Sequence, residues 1–70
     1  MNDPINNPSH YTEGRSHQPI DVINDWNLGF NLGNVVKYIS RAGRKGDALE
    51  DLEKAAFYLN YEINQRKANL

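Results

Sequence analysis

The chain has to build a fold from 70 residues that include no cysteine. A domain of this size buries only about 60% of the surface that its unfolded chain exposes, so its core is thin. Neither disulfides nor a Cys-ligated zinc ion can supply the missing stability. The two histidines, His10 and His17, lie in a polar stretch without the spacing of metal ligands. We therefore expect stability to come from close helix packing or from self-association.

The sequence divides into a polar N-terminal stretch and a helical remainder. Residues 1–18 are rich in Asn, Pro, Ser and Gly, and Pro4 and Pro8 interrupt any continuous helix, so the interpretation is an extended arm. Residues 19–70 predict a small all-α domain of three helices. Pro19 suits the first turn of a short first helix, and Gly29 is placed to end it in the left-handed conformation.

The second and third helices have their own start and stop signals. Asn31 is a good N-cap for a second helix that runs to about residue 42, where Gly43 ends it. Asp47 followed by Glu50 resembles a capping box, which predicts a third helix running to about residue 66. No stretch alternates as a strand does, so the predicted fold class is all-α.

The third helix carries a row of apolar residues spaced three and four apart, the spacing of a coiled-coil seam. These residues are predicted to be core or interface. Three aromatic residues on other sides of the helix, Phe57, Tyr58 and Tyr61, are more than one neighbouring helix covers. We expect a homo-oligomer formed through the third helix. The seam, as we call it below, consists of Leu49, Leu52, Ala56, Leu59 and Ile63.

The second helix has two sides at helical spacing. The apolar side is predicted to face the core and consists of Leu32, Val35, Val36, Ile39 and Ala42. The opposite side, which we call the basic stripe, extends into the following loop if helical geometry continues there. The basic stripe consists of Asn34, Lys37, Tyr38, Arg41 and Lys45.

Two interpretations of the basic stripe stay open. Arginine offers a planar fork of donors to phosphate, lysine a point charge, and tyrosine a ring for stacking, which favours a phosphorylated ligand. The alternative is a solvated helix face, as most charged helical stripes are. Neighbouring cations repel one another unless something anionic compensates them, and either a ligand or the nearby Asp47 and Asp51 meets that need.

The overall charge argues against nucleic acid as the partner, and the hydropathy pattern argues against a membrane location. A formal net charge of −1 is unlike that of proteins that coat nucleic acid, so nucleic acid is not the expected partner. The chain shows no signal peptide and no stretch that spans a bilayer, so the expected location is the cytoplasm, away from membranes.

Three segments make the sequence resemble a known family: Asn7 to Tyr11, Phe30 to Gly46, and Asp51 to Ala55 with Tyr58 and Leu59. They resemble a small domain family widespread in bacteriophages, which is of unknown function and often described as nucleotide-kinase-like. The domain is shared with a longer coliphage nucleotide kinase that lacks a P-loop and phosphorylates deoxynucleoside monophosphates. The resemblance therefore implies a nucleotide ligand and, for a phage protein, the host cytoplasm.

Carried over onto matching positions, the resemblance implies ligand-binding roles for part of the arm, the basic stripe and one further lysine. If the chain is a kinase, it requires Mg²⁺, for which Asp51 is the candidate ligand, and His10 orients or deprotonates the accepting phosphate. If it is not a kinase, no cofactor is implied. The ligand-binding candidates are Tyr11, Asn34, Lys37, Tyr38, Arg41, Lys45 and Lys54.

Three function classes remain at this point. The P-loop and the Gly-x-Gly-x-x-Gly fingerprint are both absent, so a kinase has to assemble its site between subunits. A non-catalytic protein that sequesters a nucleotide needs fewer conditions. The third class is an oligomeric interaction module that docks on an acidic host protein.

Overall fold

A computed structural model describes residues 14–70. Three α-helices follow one another: α1 at Pro19–Asp25, α2 at Phe30–Arg41 and α3 at Ala48–Ala68. No strand occurs among the described residues, which confirms the predicted all-α fold of three helices. Residues 1–13 of the predicted arm, which spans residues 1–18, lie outside the described range. Within residues 14–70 no helix combines the length and the apolar character needed to cross a membrane.

The end of α1 differs from the prediction. Pro19 occupies the first turn, as expected, but the left-handed residue after the helix is Asn27, with a φ of 55°. The Asn27 N–H donates to the Asn24 carbonyl and the Leu28 N–H to the Ile23 carbonyl, at 3.1 and 3.0 Å, which is the Schellman pattern. The prediction that Gly29 ends α1 is wrong, because asparagine tolerates the left-handed region and takes that position first.

The beginning of α2 also differs. Gly29 is the N-cap and Phe30 the first helical residue, so the prediction that Asn31 caps this helix is wrong. The Asn31 amide instead donates to Glu62 Oε1 and Gln65 Oε1 on α3, at 3.1 and 3.2 Å. The Asn31 side chain, which the local sequence predicted to cap α2, therefore makes a tertiary contact with α3 instead. At the other end Gly43, with a φ of 83°, follows the C-cap residue as predicted.

The beginning of α3 is as predicted. Asp47 Oδ1 accepts hydrogen bonds from the backbone N–H groups of Leu49 and Glu50, at 2.9 and 3.4 Å. The Glu50 side chain pairs with Lys54 one turn later, with 3.0 Å between Oε1 and Nζ. The N-cap therefore satisfies two of the backbone donors that a helix start leaves free.

We expect Asp47→Ala to lower the free energy of unfolding by about 1 kcal/mol, because it removes the N-cap acceptor of α3. Urea unfolding followed by circular dichroism measures the change. Asp47→Asn is the matched control, since it keeps a capping oxygen and removes only the charge. If alanine and asparagine give the same stability, the cap contributes nothing.

Helices α2 and α3 form an antiparallel hairpin. Asn31 contacts Glu62 near one end of the hairpin and Arg41 contacts Asp51 near the other, so residue numbers rise along one helix as they fall along the other. Helix α1 packs on α2 at the buried Gly33, where a Cβ atom would lie 3.3 Å from Ile23 Cγ2. The glycine thus lets the two helices approach closely.

The core is small, and it does not lie where the apolar pattern of α2 predicted. Among residues 14–70 only Pro19, Gly33, Asp51 and Ala55 are buried. Ile39, predicted to face the core, is 55% exposed, whereas polar side chains of α2 face α3. The prediction that the apolar side of α2 is its core side is therefore wrong for the contact with α3. The contacts between the two helices include an ion pair, side-chain hydrogen bonds and ring stacking.

Candidate functional site

The basic stripe lies along the junction between α2 and α3. Tyr38 and Arg41 both contact side chains of α3. Lys45 does not continue the stripe, because α2 ends at Arg41 and the positive φ of Gly43 turns the chain away from helical spacing. Lys45 is exposed within this turn, so its predicted place in one helical row is wrong.

Arg41 and Asp51 form a largely buried ion pair. Arg41 Nε lies 3.5 Å from Asp51 Oδ1, and the side chains are 32% and 4% exposed. Arg41 Nε and Asp51 Oδ2 are both buried, and neither atom has a hydrogen-bond partner within residues 14–70. A buried carboxylate is costly without a compensating charge, so the guanidinium holds Asp51 in place. The arginine predicted to bind a ligand therefore already has an anionic partner within the fold.

Aromatic rings from both helices meet beside this ion pair. Tyr38 of α2 and Tyr58 of α3 are stacked, with ring centroids 6.1 Å apart and planes 8° apart. Phe30 and Phe57 contact Tyr58 edge to face, with centroids at 5.8 and 5.2 Å. Such pairs stabilise a contact beyond the area that they bury. The rings thus help to join α2 to α3.

Two lysines from different helices approach the Tyr38 ring. Lys37 Nζ lies 5.3 Å and Lys54 Nζ 5.5 Å from its centroid. The hydrogen bond to Glu50, and then the attraction of its charge, raise the pKa of Lys54 above its usual value. Among residues 14–70 no carboxylate lies within ion-pair distance of Lys37. We call Lys37, Tyr38 and Lys54 the lysine–tyrosine cluster.

The remaining polar contacts stay within the hairpin. The Asn34 amide donates to the Phe30 carbonyl of its own helix at 2.8 Å. Glu62 accepts from Arg66 and from Asn31, and these bonds, the one from Arg66 first, lower the pKa of Glu62. The sequence pattern had assigned Asn31 to a helix cap and had not singled out Glu62, since their hydrogen bond joins positions that are distant along the chain.

The described residues do not fit a magnesium site around Asp51. Within residues 14–70 no three His, Asp or Glu side chains lie close enough to hold a metal ion. The near neighbour of Asp51 is a guanidinium, which repels a divalent cation. Asp51 therefore acts as the ion-pair partner of Arg41 in this structure. The predictions for His10 and Tyr11 lie outside the described residues.

Lys54 belongs with the basic stripe in space, although it is on another helix. The resemblance had added it as one further lysine outside the stripe. Its Nζ lies near the same ring as Lys37 Nζ, whereas Asp51 pairs with Arg41. Tyr58 was not among the predicted ligand residues, although it belongs to a segment that resembles the family and lies at helical spacing from Lys54. The geometry thus brings together Lys37, Tyr38, Arg41, Asp51, Lys54 and Tyr58.

A protein-family model described as a protein of unknown function (DUF3310) matches the chain over residues 5–60. No curated protein and no solved structure matches the chain. The matched range contains α1, α2 and the part of α3 that carries Asp51, Lys54 and Tyr58. The lysine–tyrosine cluster and its supporting contacts therefore lie entirely within the region that defines the family.

Proposed function

The chain belongs to the DUF3310 family, whose function is unknown, and on that premise we propose that it binds a nucleotide or a related phosphorylated ligand at the lysine–tyrosine cluster. The proposal includes the phage origin that the sequence resemblance implies, and with it the host cytoplasm as the place of action. It assigns binding to this chain and makes phosphoryl transfer an outcome to be tested.

The observation that carries the proposal is the convergence of Lys37 and Lys54 on one ring, with Nζ atoms 5.3 and 5.5 Å from its centroid. Two ammonium groups drawn together from two helices repel each other, and only Lys54 has a carboxylate partner among the described residues. A phosphate beside the ring offsets both charges. A nucleobase adds a flat surface that stacks on tyrosine.

In this proposal Arg41 contributes less to ligand binding than the sequence predicted. Its Nε faces Asp51, and its side chain is 32% exposed. The Asp51 carboxylate neutralises part of the field that Arg41 offers to a phosphate, so the lysines make the main contacts. Arg41 instead pairs with Asp51 at the start of α3.

Sequestration fits the described residues better than catalysis. Phosphoryl transfer needs two substrates held in line and charge stabilisation on the moving group, which is usually supplied with a metal ion. The hairpin offers an open surface and no metal-binding cluster among residues 14–70. A binding protein needs only the phosphate contacts and a stacking ring.

We expect Lys37→Met to weaken nucleotide binding by about ten- to a hundredfold, because a charge-assisted hydrogen bond contributes roughly 1.5–3 kcal/mol. Calorimetric titration of the whole chain with each deoxynucleoside mono- and triphosphate measures the affinity. Methionine keeps most of the stem that lies by Tyr38. The matched control is Lys67→Met, in the last turn of α3, which removes the same charge away from the cluster.

Equal affinities in the Lys37 and Lys67 variants, or no binding by a correctly folded wild type, contradict the proposal. Inorganic phosphate and unphosphorylated nucleosides, titrated separately, distinguish recognition of the phosphate from recognition of the base. Transfer of radiolabelled phosphate from nucleoside triphosphates to deoxynucleoside monophosphates, with magnesium and with chelator, separates the two nucleotide functions. Magnesium-dependent turnover would replace sequestration by a kinase, with Asp51→Asn and His10→Ala as the variants that test its predicted residues.

A further inference from the structure

The hairpin leaves an apolar surface uncovered. On α3 every residue of the seam is exposed, with Leu49 at 65%, Leu52 at 48%, Leu59 at 43% and Ile63 at 39%. On α2 Ile39 is 55% exposed and Leu32 is half-buried. A face of this kind marks an interaction surface, because small proteins rarely expose contiguous large apolar side chains. We call the seam together with Leu32 and Ile39 the apolar face.

Helical geometry places both rows on one side of the hairpin. Helix α3 contacts α2 through Asp51, Tyr58 and Glu62, and the seam lies roughly 110° further round at 3.6 residues per turn. On α2 the residues that contact α3 are Asn31, Tyr38 and Arg41. Leu32 and Ile39 are rotated from them about the helix axis by a similar angle and in the same direction. In an antiparallel pair, equal rotation from the shared contact leads to the same side.

The lysine–tyrosine cluster lies on the other side. Lys37 and Lys54 precede the contact rows of their helices by roughly a quarter turn. The hairpin is therefore divided: its cations and exposed aromatic edges lie on one side and its aliphatic residues on the other. A molecule that covers the apolar face leaves the lysine–tyrosine cluster open.

The fold needs this cover. No large apolar side chain within residues 14–70 is fully buried, and Pro19 and Ala55, the latter 5% exposed, are the only apolar side chains of this range that are buried. Ordering each residue costs about 1–2 kcal/mol of backbone entropy, which so small a core does not offset. Residues 1–13 contain only Met1, Ile5 and Tyr11 as large apolar residues, too few to cover the seven residues of the apolar face.

The charges of α3 favour a second copy of the same chain in the opposite direction. Glu53, near the start of α3, and Lys67, in its last turn, are both exposed and border the seam. Parallel pairing of two α3 helices brings like charges together at both ends. Antiparallel pairing brings the acidic start of each helix to the basic end of the other, and it also opposes the helix dipoles.

We propose that two copies of this chain pair antiparallel through the apolar face, that folding is coupled to this pairing, and that the two lysine–tyrosine clusters face outward. The proposal is independent of what the cluster binds. It extends the predicted contact through the third helix by giving its direction, by adding Leu32 and Ile39, and by setting the ligand side opposite the interface.

The first test is the thermal midpoint of the whole chain at several protein concentrations, with the mass measured by light scattering. Coupled folding and pairing make the midpoint rise with concentration and give twice the 8.0 kDa of one chain. A helical monomer with a concentration-independent midpoint overturns the proposal, and it would leave residues 1–13 or another protein to cover the face.

The second test uses matched variants of α3. Leu59→Asp should raise the dissociation constant on the order of a hundredfold or more, because a carboxylate is costly in an apolar contact. Tyr61→Asp is the control: Tyr61 is 50% exposed on the other side of α3, so its variant should keep the wild-type mass. Equal masses for the two variants overturn the proposal even if Leu59→Asp loses helicity.

The third test gives the direction, and it uses the absence of cysteine from the chain. Glu53 and Lys67 border the seam on one flank. A short bismaleimide should join a Glu53→Cys chain to a Lys67→Cys chain more efficiently than it joins either variant to itself. Preferred coupling of each variant to itself shows parallel pairing and overturns the antiparallel arrangement.

Discussion

Asp51→Ala is expected to lower the free energy of unfolding by about 3 kcal/mol, the lower end of the range for breaking a buried ion pair. Removing the carboxylate leaves Arg41 without its ion-pair partner between α2 and α3. We take the lower end because Arg41 is 32% exposed, so water compensates part of its charge. Urea unfolding monitored by circular dichroism, at one fixed protein concentration, measures the loss.

A double variant separates the uncompensated charge from the lost contact. Arg41→Met/Asp51→Leu replaces both partners by apolar side chains of similar length and should recover most of the stability, because such replacement of a buried pair is often neutral. Asp21→Ala, at an exposed position of α1, is the surface control. A loss below about 0.5 kcal/mol for Asp51→Ala, as at ordinary surface sites, would mean that the pair does not hold the hairpin together.

The second large effect is expected at Gly33, where α1 meets α2. An added Cβ lies 3.3 Å from Ile23 Cγ2, so Gly33→Leu has no room for the rest of its side chain unless α1 moves away. Overpacking of this kind costs about 1–3 kcal/mol. Amide hydrogen exchange should show faster exchange in α1, with the amides of α2 and α3 less affected.

Two further variants test this explanation. Gly33→Leu/Ile23→Ala removes the side chain that the leucine meets, and it should restore much of the protection in α1. Gly33→Ala should change stability little, because the tight contact offsets the roughly 1 kcal/mol that alanine gains over glycine inside a helix. Unchanged exchange in Gly33→Leu would show that α1 does not depend on close approach at this position.

The features that the sequence predicted correctly depend on neighbours along the chain. The N-cap at Asp47 and the left-handed Gly43 follow from backbone groups that local side chains either satisfy or leave free. The errors at Gly29 and Asn31 arose where asparagine and glycine suit the same positions equally well. Asn27 took the left-handed position, and Glu62, far along the chain, engaged Asn31.

The candidate site was predicted only in part, for a related reason. Periodicity showed two sides of α2 but not which of them meets α3, and burying the apolar side is the ordinary expectation. Specific partners reversed that choice: Arg41 pairs with Asp51 and Tyr38 with Tyr58. The approach of Lys54 to Tyr38 depends on the same pairing between helices, so no spacing within one helix indicates it.

The short connection between α2 and α3 has a consequence for the order of events in time. Arg41 and Asp51, which meet across the turn, are close along the chain, so the hairpin has a low contact order. Chains dominated by such local contacts fold within microseconds to milliseconds. The hairpin therefore closes and reopens many times before a second molecule arrives by diffusion. For the pairing that we propose, encounter of two chains, rather than the internal search of each chain, sets the rate at which the paired protein forms.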